Sequence, residues 1–447
     1  MSQDDFTDLV RLRLDLIAAL GVAPMGRPGR LYYSHMLPSG RGQPYAEQTV
    51  TSVWQDALHF SDFIDDLEEE FRRRTIGTVE TEGQTRAIAV HVHLPRDEIR
   101  ADVSLKELTA LAATADVALV DAVVQHRRSY DARYVMGQGK LDELLLRSMQ
   151  LDCELVIFDQ DLTPNQVRSI AEATDLKVID RSMLILDIFA RRAHTHEGKL
   201  AVELAQLNYL LPRLAQKTSA FSRLAGGIGG RGPGETKLEI DRRRARDRIA
   251  KIKKQLKNAA VQRRNRRQRR SNRGVPTVAV VGYTNAGKST LFNQVTQSDV
   301  LTENKLFATL DVTTRRLRFP RDRELVITDT VGFIRDLPEG LVSAFKATLE
   351  EATEADLLLH VVDASDPQHE EQIDSVRRIL EDIELHEKPR LTVFNKCDLL
   401  DENVIHNLCQ LHHAYGVSAF DRPSLRPLLE AIESRLWHGD SIELSHE

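Results

Sequence analysis

The segment 282–289 carries the clearest chemistry in the sequence. It reads Gly-Tyr-Thr-Asn-Ala-Gly-Lys-Ser, which matches the G-x4-G-K-[ST] pattern of a phosphate-binding loop, and it lies between an apolar run and a helical pattern. Glycines let the backbone wrap a phosphate, and the helix that follows directs its N–H groups at the negative charge. Lys288 is expected to contact the β- and γ-phosphates, and the Ser289 hydroxyl to ligate Mg²⁺. The nucleotide contacts predicted here are Gly282, Tyr283, Thr284, Asn285, Ala286, Gly287, Lys288, Ser289 and Thr290.

The segment Asn-Lys-Cys-Asp at 395–398 indicates which base is bound, because it follows another apolar run well downstream of the phosphate-binding loop. The Asp398 carboxylate can accept hydrogen bonds from both N1–H and the exocyclic amine of guanine. Adenine lacks that pair of donors, so the pattern predicts GTP. A later Ser-Ala pair lies where a short loop would cap the guanine carbonyl oxygen with a backbone N–H. The predicted base contacts are Asn395, Lys396, Asp398, Ser418 and Ala419.

An Asp-Thr-Val-Gly segment beginning at Asp329 ends a further apolar run and predicts a γ-phosphate sensor. Asp329 would hold Mg²⁺ through water, and the Gly332 N–H would contact the γ-phosphate. Thr309 lies where a switch threonine should reach Mg²⁺; Thr313 and Thr314 compete for that role but crowd the following strand. The predicted catalytic residues are Lys288, Thr309 and Gly332, and the predicted metal ligands are Ser289, Thr309 and Asp329. Further nucleotide contacts are expected from Phe307, Ala308, Thr309, Leu310, Asp311, Asp329, Thr330, Val331 and Gly332.

One position departs from Ras-like GTPases, which place a water-orienting glutamine directly after this glycine. Here the residue is Phe333, whose side chain cannot hydrogen-bond to water. Hydrolysis is therefore expected to be slow by itself or to depend on a group from elsewhere. Asn285 in the phosphate-binding loop is a candidate for holding K⁺ beside the phosphates; a purely structural asparagine is the alternative.

Apolar runs alternate with helical patterns in two parts of the chain, which indicates an α/β fold class. We expect a small α/β domain with a largely parallel sheet, a helical or coiled-coil subdomain, and a doubly wound, mostly parallel P-loop GTPase domain. The predicted divisions are a helical N-terminal extension of unknown role at 1–85, the small α/β subdomain at 86–180, a helical, basic subdomain at 181–272, the GTPase domain at 273–438 and a tail at 439–447.

Composition excludes several classes of protein. Of the 447 residues 41% are hydrophobic and 29% charged, which is typical of a folded chain rather than a disordered one. No apolar run approaches the ~20 residues that span a bilayer, so membrane insertion is not expected. The start of the chain lacks the pattern of a secretory signal. Three scattered cysteines make neither a disulfide framework nor a zinc site, which favours the cytoplasm.

One stretch is strongly basic although the net charge of the chain is −6. Between Arg242 and Arg273 there are sixteen Lys or Arg residues and a single acid, Asp247. A solvated helical face would usually mix both signs, so this imbalance favours contact with RNA phosphates. Aromatic residues are absent from the stretch, which argues against stacking on single-stranded bases and favours binding to backbone and shape.

Longer segments narrow the resemblance. The Gly-rich stretch 226–235, Phe-Ala-Thr-Leu-Asp at 307–311, the stretches 329–338 and 344–351, and the helical stretch 186–200 together resemble the HflX family of ribosome-associated GTPases. The resemblance covers about residues 86–438. It implies a GTP-dependent factor that binds the large ribosomal subunit and rescues or splits stalled or idle ribosomes. We expect the protein to be a monomer. In the family the region matching the Gly-rich stretch approaches the peptidyl-transferase region, so the predicted RNA contacts are Gly226, Gly227, Gly229, Gly230, Arg231, Gly232, Arg242, Arg243 and Arg244.

Three other functions remain as alternatives: a ribosome-assembly GTPase without splitting activity, a signalling GTPase whose partner is a protein, and a P-loop kinase for small molecules. The first is not separable from sequence. The second leaves the basic stretch unexplained, and Asp398 argues against the third.

Two histidine pairs raise the possibility of a metal. His91 and His93 alternate on a predicted strand, and His194 and His196 lie near Glu197. Neither pair has further ligands at convincing spacing, so alternate strand histidines and a basic stretch near RNA are the simpler interpretation.

Overall fold

The computed structural model describes residues 1–2, 5–6, 8–9, 14–37, 45–50, 60–76, 84–97, 99–174, 176–215, 237–271, 275–296, 306–307, 313–319, 323–335 and 352–437. The chain forms two compact units, Met1–Leu184 and Ile185–Glu447.

The first unit begins with an antiparallel sheet. Its strands are β1 (Leu16–Val22), β2 (Pro28–Met36) and β3 (Tyr45–Val50), in the order β1-β2-β3, and helix α1 (Phe60–Ile76) follows. The prediction of a helical extension was therefore wrong for these three strands. Pro24–Gly26 lies in the connection between β1 and β2, and Pro28 is the first residue of β2, a position where the missing N–H is tolerated. Across the sheet, the Tyr33 hydroxyl donates to Gln48 Oε1 at 2.5 Å.

A second sheet in this unit is entirely parallel, as the alternation of strand and helix predicted. Its strand order is β5-β4-β6-β7, and the helices connect consecutive strands. Apolar residues on its strands, including Ile88, Val90, Val156 and Phe158, form the core. The elements are β4 (Thr85–His93), α2 (Ala101–Thr114), β5 (Val117–His126), α3 (Gln138–Gln150), β6 (Leu155–Phe158), α4 (Pro164–Thr174) and β7 (Lys177–Asp180).

Helices follow the second sheet. They are α5 (Arg181–Arg192), α6 (His196–Ala215) and α7 (Lys237–Ser271). Helices α6 and α7 pack through a narrow apolar seam of Leu200, Leu204, Ile249 and Ile252. A bidentate ion pair flanks that seam, where Arg248 Nε and Nη2 donate to the Glu203 carboxylate at 2.6 and 2.7 Å. This hairpin confirms the helical subdomain expected from the sequence.

The second unit also contains a six-stranded sheet of order β13-β12-β11-β8-β10-β9. It is parallel except for β9, which runs antiparallel to β10 at one edge. This is the doubly wound, mostly parallel sheet predicted for the GTPase domain. Its elements are β8 (Thr277–Gly282), α8 (Lys288–Thr296), β9 (Thr313–Phe319), β10 (Arg323–Asp329), β11 (Leu357–Asp363), α9 (His369–Asp382), β12 (Arg390–Asn395), α10 (Glu402–His412), β13 (Tyr415–Gly416) and α11 (Arg426–Trp437).

No helix in the described ranges has the length and apolar character that a bilayer crossing requires.

Candidate nucleotide-binding site

The loop between β8 and α8 has the backbone that a phosphate requires. Gly282 has φ +151°, and a Cβ there would lie 2.1 Å from the Val361 carbonyl oxygen. Gly287 has φ +84°, and a Cβ there would lie 2.2 Å from Asn395 Nδ2. Asn285 between them is also left-handed, at φ 61°. Both glycines are therefore required on steric grounds, so the loop cannot be built from larger residues without moving its neighbours.

Lys288 at the start of α8 is buried, and its Nζ donates to the Tyr283 carbonyl at 2.6 Å. Burial lowers the pKa of this amine to about 8, while the nearby negative charge of Asp329 acts in the opposite direction. Burial removes water that would otherwise stabilise the charged ammonium. A phosphate bound beside Lys288 would restore that stabilisation.

Two side-chain oxygens that could ligate a metal, those of Ser289 and Asp329, are in contact near this lysine. The Ser289 hydroxyl donates to Asp329 Oδ2 at 2.7 Å, and β10 positions the carboxylate at the carboxyl end of its strand. Thr330 is held next to it, since its hydroxyl donates to the Val280 carbonyl at 2.6 Å. A hydroxyl and a carboxylate in contact are a donor set that suits Mg²⁺.

The segment after Asp329 pairs with the backbone of the phosphate-binding loop through a parallel β-bridge between Tyr283 and Phe333. Phe333 N donates to the Gly282 carbonyl at 3.0 Å, and Thr284 N donates to the Phe333 carbonyl at 2.7 Å. A Cβ on Gly332 would lie 2.9 Å from Lys288 Nζ and 3.0 Å from Thr284 Cα, so a larger residue would have to displace the lysine side chain or the loop. The backbone N–H expected to sense the γ-phosphate therefore lies beside the lysine expected to bind it.

The Phe333 ring is buried, at 2% exposure, so it is a packing residue and not a group directed at water. Two residues further on, the same segment makes another hydrogen bond to the loop: Arg335 N donates to the Tyr283 hydroxyl at 3.1 Å. Sequence reasoning identified the missing glutamine but not this backbone connection between the two motifs.

The predicted base contacts meet at the ends of β12 and β13. Asn395 connects two loops: its Nδ2 donates to the Ala286 carbonyl at 2.9 Å, and its Oδ1 accepts from Ala419 N at 3.1 Å. The Ser418 N–H donates to Ser424 Oγ at 2.9 Å. Asp398 is exposed, as a carboxylate that accepts from guanine must be.

Lys396 lies beside this group in a left-handed conformation, and its Nζ pairs with Asp363 Oδ2 at 2.6 Å. Its ammonium is thus directed to the protein, which leaves the aliphatic part of the side chain for the base.

Phe307 is the one member of the predicted 307–311 switch segment that the structure describes. Its ring is buried and meets the ring of Phe189 on α5 edge to face, with 4.5 Å between centroids. No sequence signal linked these two phenylalanines, which are far apart in the chain. Predictions for Ala308, Thr309, Leu310 and Asp311 lie outside the described residues.

The predicted RNA contacts divide in the same way. The glycines and Arg231 of 226–232 lie outside the described residues. Arg243 and Arg244 are exposed on α7, and Arg242 is partly exposed. Further along the described part of the same helix the exposed cations are Arg246, Lys251, Lys253, Lys254 and Lys257.

Three protein-family models match the chain in succession. Residues 102–190 match the GTP-binding GTPase N-terminal family, residues 192–270 the GTP-binding GTPase Middle Region, and residues 277–396 the 50S ribosome-binding GTPase family. These ranges cover in turn the parallel sheet of the first unit except for β4, the helical hairpin and most of the GTPase sheet.

Curated relatives agree. The GTPase HflX of Caldanaerobacter subterraneus subsp. tengcongensis is 47% identical over 79% of this chain and 81% of its own length. The GTPase HflX of Escherichia coli is 47% identical over 71% of this chain and 74% of its own. Among solved structures, a GTP-binding protein of Sulfolobus solfataricus in complex with GDP is 25% identical over 79% of this chain and 98% of its own, with a TM-score of 0.41.

Proposed function

The chain belongs to the HflX family of GTPases and hydrolyses GTP, and from this premise we propose that it is a nucleotide-controlled switch that binds the large ribosomal subunit and splits stalled or idle ribosomes. One observation carries the proposal: the phosphate-binding loop and the predicted base contacts share a compact unit with a long helix whose exposed charged residues, among those described, are cations except for Asp247. The family description of the GTPase segment, a 50S ribosome-binding GTPase, agrees with that combination.

The nucleotide is held by the loop 282–289 with Lys288 on the β- and γ-phosphates, and Asp398 selects guanine. The Gly332 N–H contacts the γ-phosphate, so loss of that phosphate releases the segment that is now bonded to Gly282 and Thr284. This segment is therefore the part of the site that distinguishes GTP from GDP.

Ser289 and Asp329 hold Mg²⁺, with Thr309 as the third protein group and Asp329 acting through water. When bound, the ion neutralises charge that develops on the β- and γ-phosphates. The Asn285 side chain is exposed at the outer side of the loop, where its carbonyl oxygen can hold K⁺. That cation would supply part of the positive charge that an arginine finger supplies in other GTPases.

Helix α7 supplies the RNA contact. Its seam residues Ile249 and Ile252 are buried against α6, so the cations of the same turns are spread over the solvent-exposed remainder of the helix surface. A single-sign face of this kind binds phosphates through counterion release, without base specificity. Gly226–Gly232 with Arg231 is proposed as the second RNA contact, in a protein that acts in the cytoplasm as a monomer.

The test is sedimentation of intact ribosomes with the protein and either a non-hydrolysable GTP analogue or GDP. We expect the protein to migrate with large subunits only with the analogue, together with a loss of intact ribosomes. Migration without that loss would favour the assembly factor. No migration in either nucleotide state would exclude the ribosome as the partner.

Charge reversal separates RNA contact from general electrostatics. Arg243→Glu/Arg244→Glu should weaken subunit binding and reduce its salt dependence, because two phosphate contacts are lost. Lys106→Glu/Lys177→Glu changes the charge equally at exposed positions of the other unit and is the matched control. GTP binding should be unchanged in both variants.

A further inference from the structure

Two histidines and a carboxylate meet at the carboxyl end of β4, far in sequence from the nucleotide motifs. His91 and His93 are two residues apart on the strand, so both rings lie on one face of the sheet. Asp97 lies in the turn that follows. One possible ligand atom from each of these three residues lies within 4.8 Å of the other two.

His91 is prepared as a ligand by its other neighbours. Its ring is 5% exposed, and Nδ1 lies 2.7 Å from Asp159 Oδ2. An ionised carboxylate can only accept, so Nδ1 carries the proton and Nε2 of the neutral ring has a free lone pair. Nε2 is buried, and among the described residues it has no hydrogen-bond partner.

Asp159 itself is saturated by other groups. Arg181 Nη1 donates to its Oδ1 at 2.9 Å, and the Ser104 hydroxyl donates to Oδ2 at 2.5 Å. The carboxylate is therefore fixed in place and charged. A histidine held by a fixed carboxylate through one ring nitrogen is the arrangement in which the other nitrogen binds a metal.

His93 repeats the feature on the neighbouring ring. Its Nδ1 is buried and has no hydrogen-bond partner in the described part of the chain, although Asp97 Oδ2 lies 3.8 Å away. The two ring centroids lie 5.8 Å apart, and a buried nitrogen on each ring without a partner among the described residues is costly, unless another group satisfies both. Water could do so, but a cation would also use the charge of Asp97.

We propose that His91, His93 and Asp97 bind a divalent transition-metal ion, of the class that includes Zn²⁺, Mn²⁺ and Fe²⁺. Two imidazoles and one carboxylate form a three-ligand set that leaves further positions open. This set differs in chemistry from the all-oxygen group of Ser289 and Asp329, so the two sites should prefer different ions.

The distances require only a small adjustment. Metal–nitrogen bonds of about 2.1 Å place tetrahedral ligands roughly 3.4 Å apart, which is somewhat closer than the separation seen here. Asp97 can supply the movement, because it lies in a turn after the strand. While its Oδ2 accepts from Leu94 N at 2.7 Å, its other carboxylate oxygen can turn toward the ring nitrogens.

His126 lies beside the cluster and offers an additional imidazole ligand. It is paired in register with His93, with 5.2 Å between the two ring centroids. Because His126 is exposed, its ring can turn toward the ion or away from it, and the proposal does not depend on it.

The test uses the full chain without a histidine tag, saturated with Mg²⁺ and GDP so that the nucleotide site cannot take the probe ion. Co²⁺ is titrated and followed by its visible absorption and by calorimetry. We expect one Co²⁺ per chain, displaced by Zn²⁺. His93→Asn and Asp97→Asn should each weaken binding at least tenfold, whereas His406→Asn, at an exposed position in the other unit, should not change it.

Thermal unfolding distinguishes ligand loss from misfolding. Bound metal should raise the midpoint of the wild type and of His406→Asn but not of the two ligand variants, whose metal-free midpoints should match the wild type. Absence of saturable Co²⁺ binding in the wild type would overturn the proposal. So would binding that both ligand variants leave intact.

Discussion

Both parallel sheets bury charge at the carboxyl ends of their strands, but the charge has different partners. After β8 the buried group is Lys288, which donates to a backbone carbonyl. After β6 and β7 the buried groups are Asp159 and Arg181, which pair with each other at 2.9 Å, and Arg181 also pairs with Glu107.

This difference separates a buried charge that gains from a ligand from one that protein groups already compensate. Burial alone would raise the pKa of the Asp159 carboxyl, but hydrogen bonds from His91 and Ser104 and the charge of Arg181 together lower it. For Lys288 burial prevails and the pKa falls to about 8. A buried charge with protein partners on every side stabilises the fold, whereas one that burial still penalises gains from a ligand.

The largest effect is expected from Asp159→Asn. The change leaves Arg181 buried at 4% exposure with less compensating charge, which should cost about 3–5 kcal/mol of unfolding free energy in the first unit. Urea unfolding measures this cost. Asp187→Asn is the control, because its pair with Arg191 is half exposed and should be worth less than about 1 kcal/mol.

The pH dependence has a definite sign. The lowered pKa of Asp159 means that its contribution is complete above the unfolded value of 3.8 and is lost as pH falls through the folded value. Wild-type stability should therefore decline more steeply below that pH than the stability of Asp159→Asn. If the unfolding free energies of the two proteins fall equally with pH, the Asp159 carboxylate does not make this contribution to stability.

Lys288→Ala should affect the nucleotide and spare the fold. Loss of a charge-assisted phosphate contact should weaken GDP and GTP binding about 100-fold or more, while unfolding free energy stays level or rises because a buried ammonium is removed. A fluorescent GDP titration measures the affinity. Lys106→Ala, at an exposed position of α2, is the control, and equal affinities in the two variants would show that Lys288 does not contact the phosphates.

Asp398→Asn should change base preference by about 10–100-fold, the range expected for hydrogen bonds to a charged group. An amide can donate to the C2 oxygen of xanthine but no longer accepts twice from guanine. Competition between GDP and xanthosine diphosphate measures the ratio. If the ratio does not move, the exposed carboxylate is not the base contact.

Raising the pH should weaken phosphate binding by Lys288 up to tenfold per unit above pH 8. Phosphate binds the protonated amine, whose pKa in the free protein is about 8, so affinity is full below that value and falls above it. Pyrophosphate is the ligand for this titration, because guanine also loses a proton in alkaline solution. An affinity that does not change between pH 7 and 9 would contradict a pKa of about 8 for this amine.

The smallest effect concerns Phe189 and Phe307. An aromatic pair is worth about 0.5–1.5 kcal/mol, so Phe189→Ala should weaken binding of a GTP analogue about 2–10-fold by releasing the switch segment. GDP binding should be unchanged, since the segment acts on the γ-phosphate. Phe189→Leu keeps apolar volume without the ring and should fall between wild type and Ala.

Local sequence predicted the nucleotide motifs and the alternation of strands and helices, because both depend on spacing along the chain. A phosphate-binding loop needs its glycines and lysine in one short segment, and parallel strands need helices between them. The small α/β sheet, the helical hairpin and the six-stranded sheet followed from these patterns.

Long-range packing decided the rest. The antiparallel sheet of β1, β2 and β3 was missed because its strands are recognisable only once they pair with one another. Asn395 meets Ala286, Phe189 meets Phe307, and Asp159 fixes His91, yet the members of each pair are remote in sequence. Only the fold brings such groups within bonding distance, because hydrogen bonds and ring contacts act over a few ångströms of space and not along the chain.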